Sequence, residues 1–319
     1  MLRKSILVLI PVNEEHKKKL EEKAPCANFK YVQKGEAIDE LEVQNANIII
    51  GNAPIKMIRG SKKLEWLQLE SAGVGNYANN NVLPEGAVLT NATGAYGLAI
   101  SEYMLAVLLE LYKNLHLYRD NQGKSNWSYE GEVKSIYNAT ALIVGAGDIG
   151  GEFAKRMKAL GAYTIGIRRT NSKKPDYLDD LHFMDDLENL LPRADIIALS
   201  LPATNLTTGI IDRKALQLMK QDAVLINVGR GNAVDTAALC DALESGHLLG
   251  AALDVTDPEP LPKEHRLWKI KNVIITPHVS GGYSLQETHE RIVKIATNNL
   301  DAFLNGKNIT NIVDRSAGY

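Results

Sequence analysis

Cysteine is almost missing from this chain. Cys26 and Cys240 are the only two in 319 residues, too few for a disulfide framework, and neither stands in a Cys-x-x-Cys or Cys/His grouping of zinc-ligand spacing. A reducing compartment and no structural metal are expected. An excess of one charge is also missing: 36 Lys and Arg face 38 Asp and Glu, a formal net charge of -2. No global basic field exists to gather nucleic acid or an anionic membrane, so neither is expected as a partner. No run approaches the ~20 apolar residues of a membrane span. Residues 6–12 form an apolar run behind Arg3 and Lys4, but it is short for a secretory leader. It stops at Asn13, Glu14, Glu15 and His16 with no small-residue cleavage site, and reads as a buried first strand. Internal repeats and low-complexity tracts are absent. The expectation is a soluble cytoplasmic protein.

Apolar residues make up 45% and charged residues 23%, a folded rather than disordered composition. The length suits two domains. Strand-like runs at 5–10, 48–50 and 64–70 alternate with helical stretches such as 14–22, which favours helices packed on a mostly parallel sheet. Residues 99–117 read as one helix of about five turns lying between two lobes. Beyond it, runs at 141–144, 163–167, 196–201, 224–228, 251–255 and 273–276 predict a six-strand parallel sheet. Residues 285–304 place Ile292, Ile295, Ala296, Leu300 and Phe303 on one helical face.

The strand at 141–144 runs into Gly145, Ala146, Gly147, Asp148, Ile149 and Gly150, with a helix predicted to about residue 160. Glycines at these positions permit a tight turn, close approach of backbone to a pyrophosphate, and close helix-strand packing, while the helix N-terminus offers N–H groups to phosphate. Strand before, helix after and a second strand at 163–167 make this a dinucleotide fingerprint. Asp148 is expected to turn its carboxylate away and contribute backbone only. The second strand ends in Arg168, Arg169 and Thr170, with Ser172, Lys173 and Lys174 behind it and no carboxylate before Asp176. A ribose 2'-hydroxyl is usually met here by Asp or Glu, whereas a 2'-phosphate needs cations. NADP(H) is therefore expected in preference to NAD(H), which stays possible.

The last third carries Asn227, Val228, Gly229, Arg230 and Gly231, then Asp254, then Glu259, then Thr276, Pro277, His278, Val279 and Ser280. Arg230, Glu259 and His278 each follow a predicted strand, and strand carboxyl ends form the ligand crevice of an open α/β sheet. Reduction of a 2-keto acid needs a cation for the carboxylate, an acid for the developing alkoxide, and a carboxylate to hold that acid charged. This trio supplies all three.

With residues 69–75, 145–150, Leu201, Pro202 and Thr207, 227–231, 252–255 and 259–278 in this order, the chain resembles the D-isomer-specific 2-hydroxyacid dehydrogenase family. The resemblance implies an α/β fold of two lobes, a Rossmann dinucleotide-binding domain (99–286) inserted into a flavodoxin-like substrate domain (1–98 plus 287–319), and a homodimer. It implies Arg230 on the substrate carboxylate and keto oxygen, His278 as proton donor and Glu259 as its partner. The loop Ser71, Ala72, Gly73, Val74 and Gly75 would grip the carboxylate through backbone N–H groups. Ile100 would pack on the nicotinamide, Asp254 would hold its carboxamide, and Leu201 and Pro202 would line the adenosine side. Thr207, Val228 and Gly229 belong to the same cofactor-lining motifs. Departures are informative. Arg168 stands where many members have Asp; Gly51, Asn52, Ala53 and Pro54 lack the Arg-Ser that phosphoglycerate dehydrogenases use for phosphate; Glu259 argues against a formate dehydrogenase. The expected activity is NADPH-preferring reduction of small 2-keto acids, of the glyoxylate/hydroxypyruvate reductase kind. The alternatives are an NAD-linked D-2-hydroxyacid dehydrogenase and a non-catalytic nucleotide-sensing interaction protein like the corepressors of similar sequence.

Overall fold

The structure, a computed structural model, describes residues 3–33, 35–169, 173–315 and 318. The chain divides into two compact units, residues 1–96 with 283–319 and residues 97–282, against seams at 98/99 and 286/287 in the sequence reading. The first unit holds β1 (Ser5–Val8), α1 (Glu14–Lys23), β2 (Asn28–Tyr31), α2 (Glu40–Asn45), β3 (Ile48–Ile50), α3 (Ile55–Ile58), β4 (Trp66–Gln68) and β5 (Val88–Thr90). All pairings are parallel, in the order β2-β1-β3-β4-β5, which is flavodoxin-like. Alternation along each strand feeds two cores. Leu7, Ile49, Leu67 and Leu89 face one way; Ile6, Val8, Ile48, Ile50 and Trp66 face the other. There the closing helix Gln286–Leu304 lays down Ile292, Val293, Ala296 and Leu300. Two strands lay beyond the sequence reading: β2 is a half-exposed edge with Asn and Lys facing out, and β5 is only three residues long.

The second unit holds α4 (Gly97–Tyr112), α5 (Leu115–Gly123), β6 (Thr140–Val144), α6 (Asp148–Ala159), β7 (Tyr163–Ile167), β8 (Asp180–His182), α7 (Leu187–Leu190), β9 (Ile196–Leu199), α8 (Arg213–Leu218), β10 (Ala223–Asn227), α9 (Thr236–Glu244), β11 (Leu248–Leu253) and β12 (Val273–Ile275). Gln286–Leu304 is then α10. The sheet order is β12-β11-β10-β9-β6-β7-β8, the Rossmann order with one further strand at the β12 edge. Among the described residues this sheet has seven strands where six were predicted. The additional one, β8, reads Asp-Leu-His, half-buried throughout, and exists through its pairing with β7 rather than through any apolar run. The central strands β9 and β10 are buried along their whole length, as a parallel sheet covered on both faces requires.

The predicted single helix at 99–117 is two. Asn114 adopts φ 55, the left-handed region, and its amide donates to the carbonyls of Glu130 and Glu132 at 2.9 and 3.2 Å. Asn tolerates this conformation better than most residues, and the exchange of helical for side-chain bonds ends α4 at Tyr112. Among the described residues no helix is long and apolar enough to cross a membrane.

Candidate active site

Chain order reverses on either side of β6, which pairs with β7 on one flank and β9 on the other. Val144, Ile167 and Leu199 are register partners, so Gly145, Arg168 and Ser200 leave the sheet side by side at its switch point, where ligands of such sheets bind. The three glycines there have different reasons. Gly145 has φ 98, and a Cβ on it would lie 2.8 Å from the Ser200 carbonyl oxygen; one on Gly150 would lie 2.4 Å from the Gly145 carbonyl oxygen. Gly147 has nothing within 4 Å of where a Cβ would point. It caps the N-terminus of α6 with no side-chain bond. The outer glycines thus seat the turn against the sheet, and the middle one presents bare backbone to open space at the N-terminus of α6. These residues fit a dinucleotide pyrophosphate. The Asp148 carboxylate faces α4, with one oxygen 2.6 Å from where a Cβ on Gly97 would sit; Ile149 follows it half-buried in α6.

Arg168 is half-buried, its Nε donating to the Ala146 carbonyl at 2.6 Å and an Nη to the Tyr177 hydroxyl at 3.3 Å. The guanidinium is therefore anchored behind the glycine turn. Arg169 is exposed. Thr170 and Ser172 lie outside the described residues. Leu201 is buried, its backbone tight against Gly229: a Cβ on Gly229 would lie 2.7 Å from the Leu201 amide. After Pro202, the Thr207 hydroxyl donates to the Pro202 carbonyl at 2.6 Å and accepts from the Thr204 amide at 2.9 Å. Thr207 shapes this loop from within. Ile100 is buried on α4 and Val228 follows β10, also buried.

The second cluster is built at the ends of β10, β11 and β12. Asn227, Leu253 and Ile275 are register partners, so the loops bearing Arg230, Asp254 and His278 start level with one another. Asn227 clamps the first: its amide donates to the Arg230 carbonyl at 2.9 Å and its oxygen accepts from the Gly229 amide at 3.0 Å. A Cβ on Gly231 would lie 2.0 Å from the Thr256 carbonyl, so bulk is excluded on both sides of Arg230. The Arg230 guanidinium is half-buried and donates to the Gly229 carbonyl at 2.6 Å. His278 places Nδ1 2.8 Å from Glu259 Oε1. An ionised carboxylate only accepts, so Nδ1 carries the proton and Nε2 is the nitrogen left to act outward. Asp254 is 1% exposed. It accepts from Thr276 Oγ1 (2.6 Å), the Val279 amide (2.8 Å), and the Ser280 amide (3.0 Å) and hydroxyl (2.5 Å). Its four acceptor positions are thereby filled from the His278 loop, a holding role that the sequence motif did not reveal.

In the first unit, the loop after β4 contains Ser71, Ala72, Gly73, Val74 and Gly75. The Ser71 hydroxyl donates to the Gly73 carbonyl at 2.7 Å, and the Asn91 amide to the Ala72 carbonyl at 2.9 Å. Val74 is right-handed helical and Gly75 has φ 49. Glu70, just before the loop, accepts from the Tyr283 hydroxyl, and its carbonyl accepts from Tyr96 Oη at 2.6 Å. Burial pushes the Glu70 carboxyl above its ordinary value, against the lowering effect of the Tyr283 bond. Asn52 is occupied within the unit, donating to Ser71 Oγ and accepting from the Glu70 amide.

The model of the D-isomer specific 2-hydroxyacid dehydrogenase NAD-binding domain matches residues 105–280. The chain belongs to the D-isomer-specific 2-hydroxyacid dehydrogenase family. Glyoxylate reductase from Thermococcus litoralis is 33% identical over 270 residues, 82% of this chain and 80% of that protein. D-3-phosphoglycerate dehydrogenase from Methanocaldococcus jannaschii is 30% identical over 315 residues, 97% of this chain but 59% of that longer protein. A D-isomer specific 2-hydroxyacid dehydrogenase family protein from Aeromonas salmonicida superposes with a TM-score of 0.84 at 30% identity, over 98% of this chain and 99% of that one. As a 2-hydroxyacid dehydrogenase, the chain is a nicotinamide-dependent oxidoreductase, and its Rossmann unit is the family's cofactor domain.

Proposed function

We propose that this dehydrogenase reduces small, unphosphorylated 2-keto acids of the glyoxylate/hydroxypyruvate kind and prefers NADPH. The observation that carries the reading is the His278–Glu259 pair at 2.8 Å, on loops that start level with that of Arg230. When bound, the nicotinamide supplies the hydride. His278 Nε2 gives its proton to the carbonyl oxygen as that oxygen gains charge, and Glu259 fixes the ring and stabilises the imidazolium. Arg230 binds the substrate carboxylate and polarises the keto group, its position set by Asn227 and two glycines. The family resemblance assigns the loop of residues 71–75 in the first unit to substrate binding through its backbone N–H groups. Gly145, Gly147 and Gly150 would hold the pyrophosphate, with Ile100, Leu201, Pro202, Val228 and Gly229 as walls. Arg168 and Arg169 favour a 2'-phosphate.

The turn at 51–54 has no cation, and Asn52 is committed to Glu70 and Ser71, so a substrate phosphate finds no partner there. A homodimer is part of this reading, and Leu115, Trp127, Tyr129 and Val133 are exposed apolar residues within one stretch of the chain. Assaying NADPH and NADH against glyoxylate, hydroxypyruvate, pyruvate and bulkier keto acids tests the proposal. Fastest turnover with the two smallest hydroxylated or unsubstituted acids and NADPH is expected. Preference for NADH or for a branched keto acid refutes the finer assignment, and cofactor binding without any turnover points to a nucleotide-sensing protein.

A further inference from the structure

We propose that Tyr103 and Thr276 are positioning residues for His278, acting through the buried carboxylate of Asp254. The inference rests on reading His278 as the proton donor. His278 has φ 54, the left-handed region, which is uncommon for residues other than glycine although histidine enters it more readily than most. Hydrogen bonds hold it there from both sides. The His278 amide donates to the Asp254 carbonyl at 2.8 Å, and the Asp254 carboxylate binds Thr276 two residues before His278 and Val279 and Ser280 directly after it.

The chain of bonds extends one residue further, and its direction is determined. Thr276 has a single hydroxyl proton, and its 2.6 Å bond to Asp254 Oδ1 uses it, since an ionised carboxylate can only accept. The 2.7 Å contact between Thr276 Oγ1 and Tyr103 Oη must therefore be donated by the phenol. Burial first, and the Asp254 charge with it, push the Tyr103 phenol up to about 12. The phenol stays protonated at any working pH. Tyr103 lies on α4, three residues beyond Ile100, so the wire ties that helix to the loop carrying the acid. Polarisation along such a chain strengthens each member, and removing the phenol leaves the Thr276 hydroxyl short of a donor.

The test uses the full-length enzyme with Tyr103→Phe, Thr276→Val, the double variant, Thr276→Ser and His278→Ala, measuring kcat, cofactor KM and Tm. Tyr103→Phe lowers kcat about fivefold, the worth of one neutral hydrogen bond, and leaves cofactor KM unchanged. Thr276→Val lowers kcat further, and Thr276→Ser regains most of that loss. In the Thr276→Val background Tyr103→Phe has no further effect on kcat, because its route to Asp254 is already cut. Multiplying effects on kcat, or a Tyr103→Phe change seen in Tm alone, overturn the inference while a large His278→Ala loss leaves the acid assignment standing. Full activity in His278→Ala overturns both.

Discussion

Replacing Gly147 by Ala separates holding a cofactor from holding the fold. Nothing lies within 4 Å of the added methyl in the protein itself. At the N-cap, Ala is ~0.5–1 kcal/mol poorer than Gly, and the ψ of -139 at Gly147 lies outside the β region that residues with a Cβ prefer, which adds about 1 kcal/mol. The net change in stability stays within ~2 kcal/mol, or ~4–8 °C for a unit of this size. A pyrophosphate resting on this backbone, however, meets the methyl directly. Losing one charge-assisted N–H bond to phosphate costs ~1.5–3 kcal/mol, so NADPH should bind roughly ten- to a hundred-fold more weakly. Gly150→Ala is the contrast: its methyl would sit 2.4 Å from the Gly145 carbonyl oxygen and 2.8 Å from Ile143 Cγ2. Forcing α6 off the sheet costs ~1–3 kcal/mol or more, and Tm should fall visibly without ligand. Titration of nucleotide fluorescence and thermal melts of both variants read the two effects. Wild-type NADPH affinity in Gly147→Ala, or a melt as depressed as that of Gly150→Ala, refutes the assignment of this turn as the pyrophosphate seat.

Arg168→Asp should reverse the cofactor preference in kcat/KM, by removing an attraction to the 2'-phosphate and offering an acceptor to a ribose hydroxyl; the preference in the unaltered enzyme should shrink as salt rises. His278→Ala should lower reductive turnover by roughly 10²- to 10⁴-fold, and Glu259→Gln by less, with nucleotide affinity retained in each. Arg230→Lys keeps charge but loses the planar fork, so both substrate KM and kcat should worsen, and near-normal kinetics would assign Arg230 a structural role. Glu70 has a raised carboxyl, so it contributes stability that is full below the ordinary Glu value of ~4.3 and is lost as pH rises through the raised one. Glu70→Gln should flatten that slope and melt higher than wild type at neutral pH; parallel Tm-against-pH curves would show Glu70 to be uninvolved.

Local sequence determined what depends on neighbours in the chain. The apolar runs of β6, β7, β9, β10 and β11 are legible because strands buried on both faces must be apolar throughout. The glycine turn is legible because its positions serve local backbone shape. The order Arg230, Glu259, His278 after successive strands follows from placing ligands at carboxyl ends. What the sequence withheld depends on partners far away in it. β8 is a strand only because β7 supplies its bonds. The helix read over 99–117 breaks because the carbonyls of Glu130 and Glu132 capture Asn114. Asp254 is a cofactor residue by resemblance alone; that its carboxylate also holds the His278 loop, and that Tyr103, 173 residues from Thr276, extends that network, only the fold shows. Periodicity encodes burial one residue at a time. A buried carboxylate, by contrast, takes its partners from wherever the chain returns, and only the folded sheet brings those donors within 3 Å of it.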